Sequence, residues 1–243
     1  MPIRSALLTS GSGAVVNSTY KALKQYTDLC GIVFSKYEDP EPRWKKFKIY
    51  GFWYMLQYFL TKIINILTRN SNIKRLLSPN IVVKIWKSRK ERKEIFNWLQ
   101  NLNIDLILVS DIHYILPSDF FSKFRYCINI HPSPLPKYRG PNPIIWGLLD
   151  KSSEFGISLH LIDEGIDTGD IICQKTIRKP ILPLYFVIEM KLAKLLPELI
   201  KHSVEEIQGG KLHARKQEEG FYLSFPTLAN RKLRKQNINI LPP

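Results

Sequence analysis

The chain has 243 residues, of which 36 are Lys or Arg and 21 Asp or Glu, for a formal charge of +15. With 44% hydrophobic and 12% aromatic residues it is too apolar for a disordered polypeptide and long enough for one or two packed domains. The surplus charge is confined: residues 41–100 carry +11 and 211–243 carry +5, while 101–210 sum to −2, which excludes a uniformly cationic scaffold. The three cysteines, Cys30, Cys127 and Cys173, stand far apart with no Cys-x-x-Cys pair, excluding a zinc finger or a disulfide framework and fitting a reduced, cytoplasmic setting. The early apolar run, Ala6 to Leu8, is too short for a signal-peptide core, and Phe52 to Leu67 is interrupted by Gln57, Thr61, Lys62 and Asn65 and falls short of a spanning helix.

In chain order, Ile3 to Leu8 reads as a buried strand, Thr9 to Gly13 as a glycine turn, and the residues up to about Tyr26 as a helix. Cys30 to Phe34 and Asn80 to Ile85 are further short apolar strands; a helix over Lys90 to Leu102 precedes strands at Ile104 to Ser110 and Cys127 to Ile130. Pro141 to Leu149 predicts a helix, Gly156 to Ile162 a strand, and Leu184 to Ile207 one long amphipathic helix stopped by Gly209 and Gly210. Two more strands, Lys211 to Arg215 and Phe221 to Phe225, are expected in the remainder. Strands alternating with helices at this spacing predict an α/β fold with a doubly wound, mostly parallel sheet.

Two stretches concentrate polar groups directly after strands. In Cys127-Ile-Asn-Ile-His-Pro-Ser-Pro-Leu-Pro-Lys-Tyr-Arg-Gly140, the period of two places Asn129 and His131 on one side at a strand end. In open α/β sheets ligands bind at that carboxyl edge. The second stretch, Asp163-Glu-Gly-Ile-Asp-Thr-Gly-Asp170, packs four carboxylates and two glycines into eight residues without calcium-loop spacing; alone it reads equally as a solvated turn.

Together the two stretches resemble the folate-dependent formyltransferase family, which includes methionyl-tRNA formyltransferase, glycinamide ribonucleotide transformylase and the sugar N-formyltransferases. Asn129, His131, Ser133, Leu135, Pro136, Arg139 and Gly140 match the first family motif, and Asp163, Glu164, Gly165, Asp167, Thr168 and Gly169 the second. The resemblance covers residues 100–175 firmly and 1–40 loosely, and implies a Rossmann-like formyltransferase fold. It divides the chain into a catalytic domain, 1–208, with a basic aromatic insertion at about 41–78, and a short extension, 209–243. It implies 10-formyltetrahydrofolate as formyl donor and no metal. Asn129, His131 and Asp167 are the implied catalytic trio: an amide to stabilise the developing oxyanion, an imidazole to polarise or exchange a proton, and a carboxylate to orient it. The segment Ile112, Tyr114, Ile115 and Leu116, with Asp163 and Gly165, is the implied folate site, although Ser110, Asp111 and His113 stand where the family prefers small residues. Gly11, Ser12 and Gly13, together with Ser133, Arg139 and Gly140, are candidate acceptor contacts; the glycine turn is expected either to cradle an acceptor phosphate or simply to join strand to helix.

The 74 residues after Gly169 leave no room for the complete C-terminal barrel of the tRNA-specific branch, while His213 to Gln217 resembles the junction found there. The expected acceptor is a small-molecule amine, an amino sugar linked to a nucleotide, with methionyl-tRNA and glycinamide ribonucleotide as alternatives. A basic RNA- or membrane-binding module with an idle site is the non-enzymatic alternative. The insertion, Arg43-Trp-Lys-Lys-Phe-Lys48 followed by Phe52 to Leu60, is open to core packing, to a homodimer contact or to a peripheral membrane contact, with nucleic acid less favoured.

Overall fold

A computed structural model of the chain describes residues 2–36, 52, 55–57, 59–64, 73–225 and 227. Seven strands share one sheet: β1 (Arg4–Thr9), β2 (Asp28–Ser35), β3 (Val82–Trp86), β4 (Leu106–Ser110), β5 (Tyr126–His131), β6 (Glu154–Leu161) and β7 (Ile171–Arg178). Their order is β3-β2-β1-β4-β5-β6-β7. The first five run parallel, while β6 pairs antiparallel with both β5 and β7. The chain leaves β1 toward β2 and β3, then returns across β1 to β4 and β5, so the winding reverses between β1 and β4. That reversal opens a crevice at the carboxyl edge.

Among the described residues, the helices α1 (Ala14–Tyr26), α2 (Arg92–Asn101), α3 (Ser118–Phe121), α4 (Pro143–Leu149), α5 (Tyr185–Ala193) and α6 (Leu196–Gln208) cover the two faces. Because β1 and β4 are covered on both sides, nearly every residue in them is buried, which explains their continuous apolar runs. Alternate residues divide between two cores. Leu7, Leu108, Ile128 and Ile130 pack under α1, α5 and α6 with Ile188, Leu196 and Ile200. Leu8, Val109 and Cys127 face the other way and pack with Trp86, Ile95 and Phe120 from β3, α2 and α3.

Three expectations are corrected. The helix expected over Leu184 to Ile207 is two helices, because Pro197 sits in the first turn of α6, where its missing N–H and fixed φ are tolerated but a continuous helix is not. Lys211 to Arg215 and Phe221 to Phe225 are not strands; each gives one isolated backbone pairing, Arg215 with Ile171 and Tyr222 with Arg139. β7 is a strand the sequence reading lacks. Of the insertion, Arg43 to Lys48 lie outside the described residues; residues 52, 55–57 and 59–64 are helical. Among the described residues no helix is long and apolar enough to cross a membrane.

Ile128 is fully buried in the central sheet, whereas Ile85 on the edge strand β3 is 37% exposed. Ile128→Ala is expected to cost about 2–5 kcal/mol and Ile85→Ala under about 1 kcal/mol, measured by urea unfolding; equal costs would contradict the central placement of β5.

Candidate functional site

Asn129 and His131 leave β5 on the face that carries Cys127, and His160 comes beside them because β6 pairs antiparallel with β5 in a register that sets Asn129 opposite His160. Asp167 arrives from the loop after β6, in a left-handed conformation (φ 57°) that Asp tolerates better than most residues. The four side chains meet. The Asn129 amide donates to Asp167 Oδ1 and to His160 Nε2, both at 3.1 Å. His131 Nδ1 lies 3.5 Å from Asp167 Oδ2, and His160 Nε2 lies 3.5 Å from Asp167 Oδ1.

The tautomers follow from the fixed acceptors. A carbonyl can only accept, so His131 Nε2–H donates to Tyr138 O at 2.9 Å and His160 Nδ1–H donates to Leu161 O at 2.8 Å. The neutral His131 ring therefore turns its Nδ1 lone pair toward Asp167, and the neutral His160 ring accepts from Asn129. Burial pushes the His131 pKa down, although Asp167 opposes the shift. Burial alone would raise the Asp167 carboxyl, but the His131 and His160 rings and the Gly140 N–H outweigh it and hold it well below the usual carboxylate range. At neutral pH the pair is thus an ionised carboxylate beside a neutral imidazole.

The two loops are held together by backbone that only glycine permits. Gly140 has φ 95° and donates its N–H to Asp167 Oδ2 at 2.8 Å. A Cβ on Gly169 would run into the Leu161 carbonyl. Asp163 Oδ1 accepts from Thr168 Oγ1 at 2.7 Å and from Gly165 N at 3.2 Å, folding the acidic loop on itself. Two expected acceptor contacts have their polar groups committed within the chain. Ser133 Oγ donates to Lys137 O at 2.7 Å. Arg139, 8% exposed, donates to Gln217 Oε1 and to the carbonyls of Glu218 and Gly220. Gln217 in turn donates to the carbonyls of Asp167 and Gly169 at 3.1 and 2.6 Å, so the stretch after α6 pins the acidic loop.

The expected donor segment is divided. Leu116 is buried, Ile112 and Tyr114 fringe the same core as Cys127, and Ile162 joins them there, all on the face of the sheet that carries Asn129 and His131. The site therefore has an apolar wall next to the polar trio. Ile115 is 72% exposed. Tyr114 stacks on Trp86 with ring centroids 4.7 Å apart and donates its hydroxyl to the carbonyls of Lys36 and Lys87. The residues unusual for the family bind the loop to its neighbours: Asp111 accepts from Ser10, and His113 Nδ1 lies 3.1 Å from Ser35 Oγ. Ser110 Oγ is buried and has no hydrogen-bond partner among the described residues.

The glycine turn after β1 had two readings, a phosphate cradle or a plain join of strand to helix. Gly11 and Gly13 have φ of 91° and 108°, but the helix start they expose is already occupied. Glu189 of α5, 7% exposed, accepts the Ala14 N–H at 2.9 Å. Its carboxyl group stands where the cradle reading would put an acceptor phosphate. Desolvation raises the Glu189 pKa to about 7, against the helix N–H groups that lower it and with Asp111 adding to it. His160, Glu189 and Gln217 were not among the candidate site residues; His160 had a local signal, as a polar residue alternating with Ile157, Leu159 and Leu161 in a strand directly before the second motif, and Gln217 ends the stretch that resembles a family junction, while Glu189 had none.

A family model described as formyl transferase matches residues 3–185. A methionyl-tRNA formyltransferase from Caldanaerobacter subterraneus subsp. tengcongensis is 34% identical over 151 residues, covering 61% of this chain and 49% of that protein. The chain thus spans about half the length of the curated relatives it matches. Among solved structures, a 4-N formyltransferase from Francisella tularensis superposes with a TM-score of 0.60 at 19% identity, over 92% of this chain and 76% of that one. A phosphoribosylglycinamide formyltransferase from Anaplasma phagocytophilum gives 0.60 at 18% identity, over 93% and 100%.

Two outcomes follow. A carboxyl whose folded pKa is above its unfolded value binds more protons folded than unfolded, so Glu189 weakens the fold as pH rises from about 4.5 to about 7. Glu189→Gln keeps an acceptor oxygen without the charge: its melting temperature relative to wild type should rise between pH 5 and pH 8, by about 3 kcal/mol in stability terms at most. A difference that is flat or falls with pH would contradict the buried, desolvated carboxylate. Arg139→Ala should speed tryptic cleavage at Arg215 by about tenfold by releasing the stretch over the acidic loop. Arg139→Lys should not restore protection, because an ammonium cannot serve the three acceptors of the guanidinium fork.

Proposed function

The chain belongs to the formyl transferase family, and on that premise we propose that it is an N-formyltransferase moving the formyl group of 10-formyltetrahydrofolate to a primary amine, with an amino sugar as the acceptor class. The observation that carries the reading is the meeting of Asn129, His131 and Asp167, from two motifs 38 residues apart, within 3.1–3.5 Å at the carboxyl edge of the sheet.

The donor supplies an activated formyl carbon; the apolar fringe of Ile112, Leu116 and Ile162 would hold its ring system. The amine nitrogen forms a bond to that carbon, the bond to the donor nitrogen breaks, and the proton lost by the amine is returned to that leaving nitrogen. Asn129 supplies the hydrogen bond to the negatively charged formyl oxygen, exchanging its His160 or Asp167 contact for the substrate, a donor effect on the order of 3 kcal/mol. Asp167, ionised at neutral pH, takes the proton from the attacking amine. His131 stabilises that transfer: its Nδ1 accepts and returns a proton beside Asp167, while Tyr138 O fixes the ring through Nε2.

Glu189 at the glycine turn supports an acceptor with no phosphate at that position, since its side chain already occupies that helix terminus. This weighs against a phosphoribosyl amine bound through that turn. A second reading, methionyl-tRNA as acceptor, is favoured by the sequence relatives, which are methionyl-tRNA formyltransferases over about half their length.

Asn129→Ala, His131→Ala and Asp167→Ala are each expected to lower turnover by at least about 100-fold. Products 28 Da heavier than the amine are sought by mass spectrometry across nucleotide-linked amino sugars, with methionyl-tRNA and glycinamide ribonucleotide as comparison acceptors. Wild-type turnover by His131→Ala would overturn the assignment of the trio, and exclusive formylation of methionyl-tRNA would replace the sugar reading.

A further inference from the structure

The helical residues 52–64 that are described present two opposed faces. On one, Gln57 is 6% exposed and its side-chain oxygen accepts the Tyr185 N–H at 2.8 Å, supplying the start of α5 with an acceptor that its own N-cap, Leu184, does not give. This fastens the helical segment to the domain. At about 100° per residue, Phe59, Ile63 and Phe52 fall on the stripe facing away from Gln57. Their exposures are 52%, 49% and 66%. Close by in sequence to Tyr185, the turn leading into α5 exposes Ile181 fully and Leu182 by 59%. These apolar groups are accompanied by exposed cations, Lys62 on the helix and Arg178 and Lys179 just before the turn.

The described exposed charges named beside these groups, Lys62, Arg178 and Lys179, are all cationic, and the sequence on either side of the helical segment has the same bias. From Glu41 to Glu91 the intervening sequence contains twelve Lys or Arg and no Asp or Glu. Exposed apolar groups accompanied by cations have three conceivable occupants, and these differ in charge. A second copy of the same face would set like charges against each other. An RNA would satisfy the cations through its phosphates but leave aliphatic Ile63, Ile181 and Leu182 in water. An anionic lipid surface meets both requirements: headgroups face the cations and the acyl boundary takes the apolar stripe. We propose that the helical segment around Phe59 and Ile63, with the Ile181–Leu182 turn, docks the protein onto anionic lipid membranes as a peripheral contact. The inference goes beyond the catalytic reading and does not depend on which amine is formylated.

The full chain is floated with phosphatidylcholine vesicles and with vesicles that also contain phosphatidylglycerol. The expected result is partitioning at least about tenfold stronger onto the anionic vesicles, falling steeply with added salt. Phe59→Asp with Ile63→Asp should reduce that partitioning by about tenfold or more with the melting temperature unchanged. Ile181→Ser with Leu182→Ser, at the separate turn, should reduce it independently. Equal binding to neutral and anionic vesicles would overturn the proposal, as would anionic binding unaffected by both variants. So would a dimer in sedimentation that the same substitutions dissociate, or binding to RNA that displaces the protein from no lipid because none was bound.

Discussion

The site depends on keeping one ionised carboxylate, that of Asp167, almost out of water. An unpaired buried carboxylate costs several kcal/mol, and the fold offsets this only by surrounding it with donors and imidazoles. Gly140 N–H, the Asn129 amide and the edges of His131 and His160 all converge on its two oxygens. Each of those partners comes from a different local structure: a loop glycine with positive φ, a strand residue, a strand end and the facing antiparallel strand. The reversal from parallel β5 to antiparallel β6 is therefore more than a detail of topology. It is what sets His160 opposite Asn129, on the same side of the sheet.

The second motif cannot hold itself in place by its own contacts. Its glycines allow the tight path, and Asp163 closes the loop through Thr168 and Gly165, but the carbonyls of Asp167 and Gly169 are bonded by Gln217, whose side-chain oxygen is gripped by Arg139. Arg139 follows the first motif directly. The guanidinium thus joins the first motif to the second through a residue from beyond α6, so the stretch after α6 is part of the scaffold of the site.

The strands and most helices were legible because burial leaves a period: β1, β4 and β5 are apolar runs, and the two polar motifs follow β5 and β6. The trio was legible because its residue types and spacing match a known family. What was not legible was set by distance in sequence. Glu189 lies 175 residues from the N–H it caps, inside an apolar helix, and nothing near it signals a partner. The guanidinium of Arg139 read as a substrate contact because its sequence neighbours belong to the first family motif, yet its acceptors are some 80 residues downstream. β7 escaped because, as an edge strand with mostly half-buried residues, it has no clean alternation. The break between α5 and α6 was visible in principle: Pro197 falls inside the periodic segment, and a proline there starts a new helix rather than continuing the old one.

The partition of charge seen in the sequence acquires a spatial meaning around the site. Asp111, Asp163, Glu164, Asp167, Asp170 and Glu189 all lie in the loops after β1, β4 and β6 or against them, within the part of the chain whose net charge is −2. On the proposed reading, the field of these carboxylates draws the acceptor amine in as an ammonium ion. The same carboxylates repel an anion from the glycine turn. Attraction of a cation and exclusion of an anion thus come from one arrangement, while the +11 of residues 41–100 belongs to another stretch of the sequence.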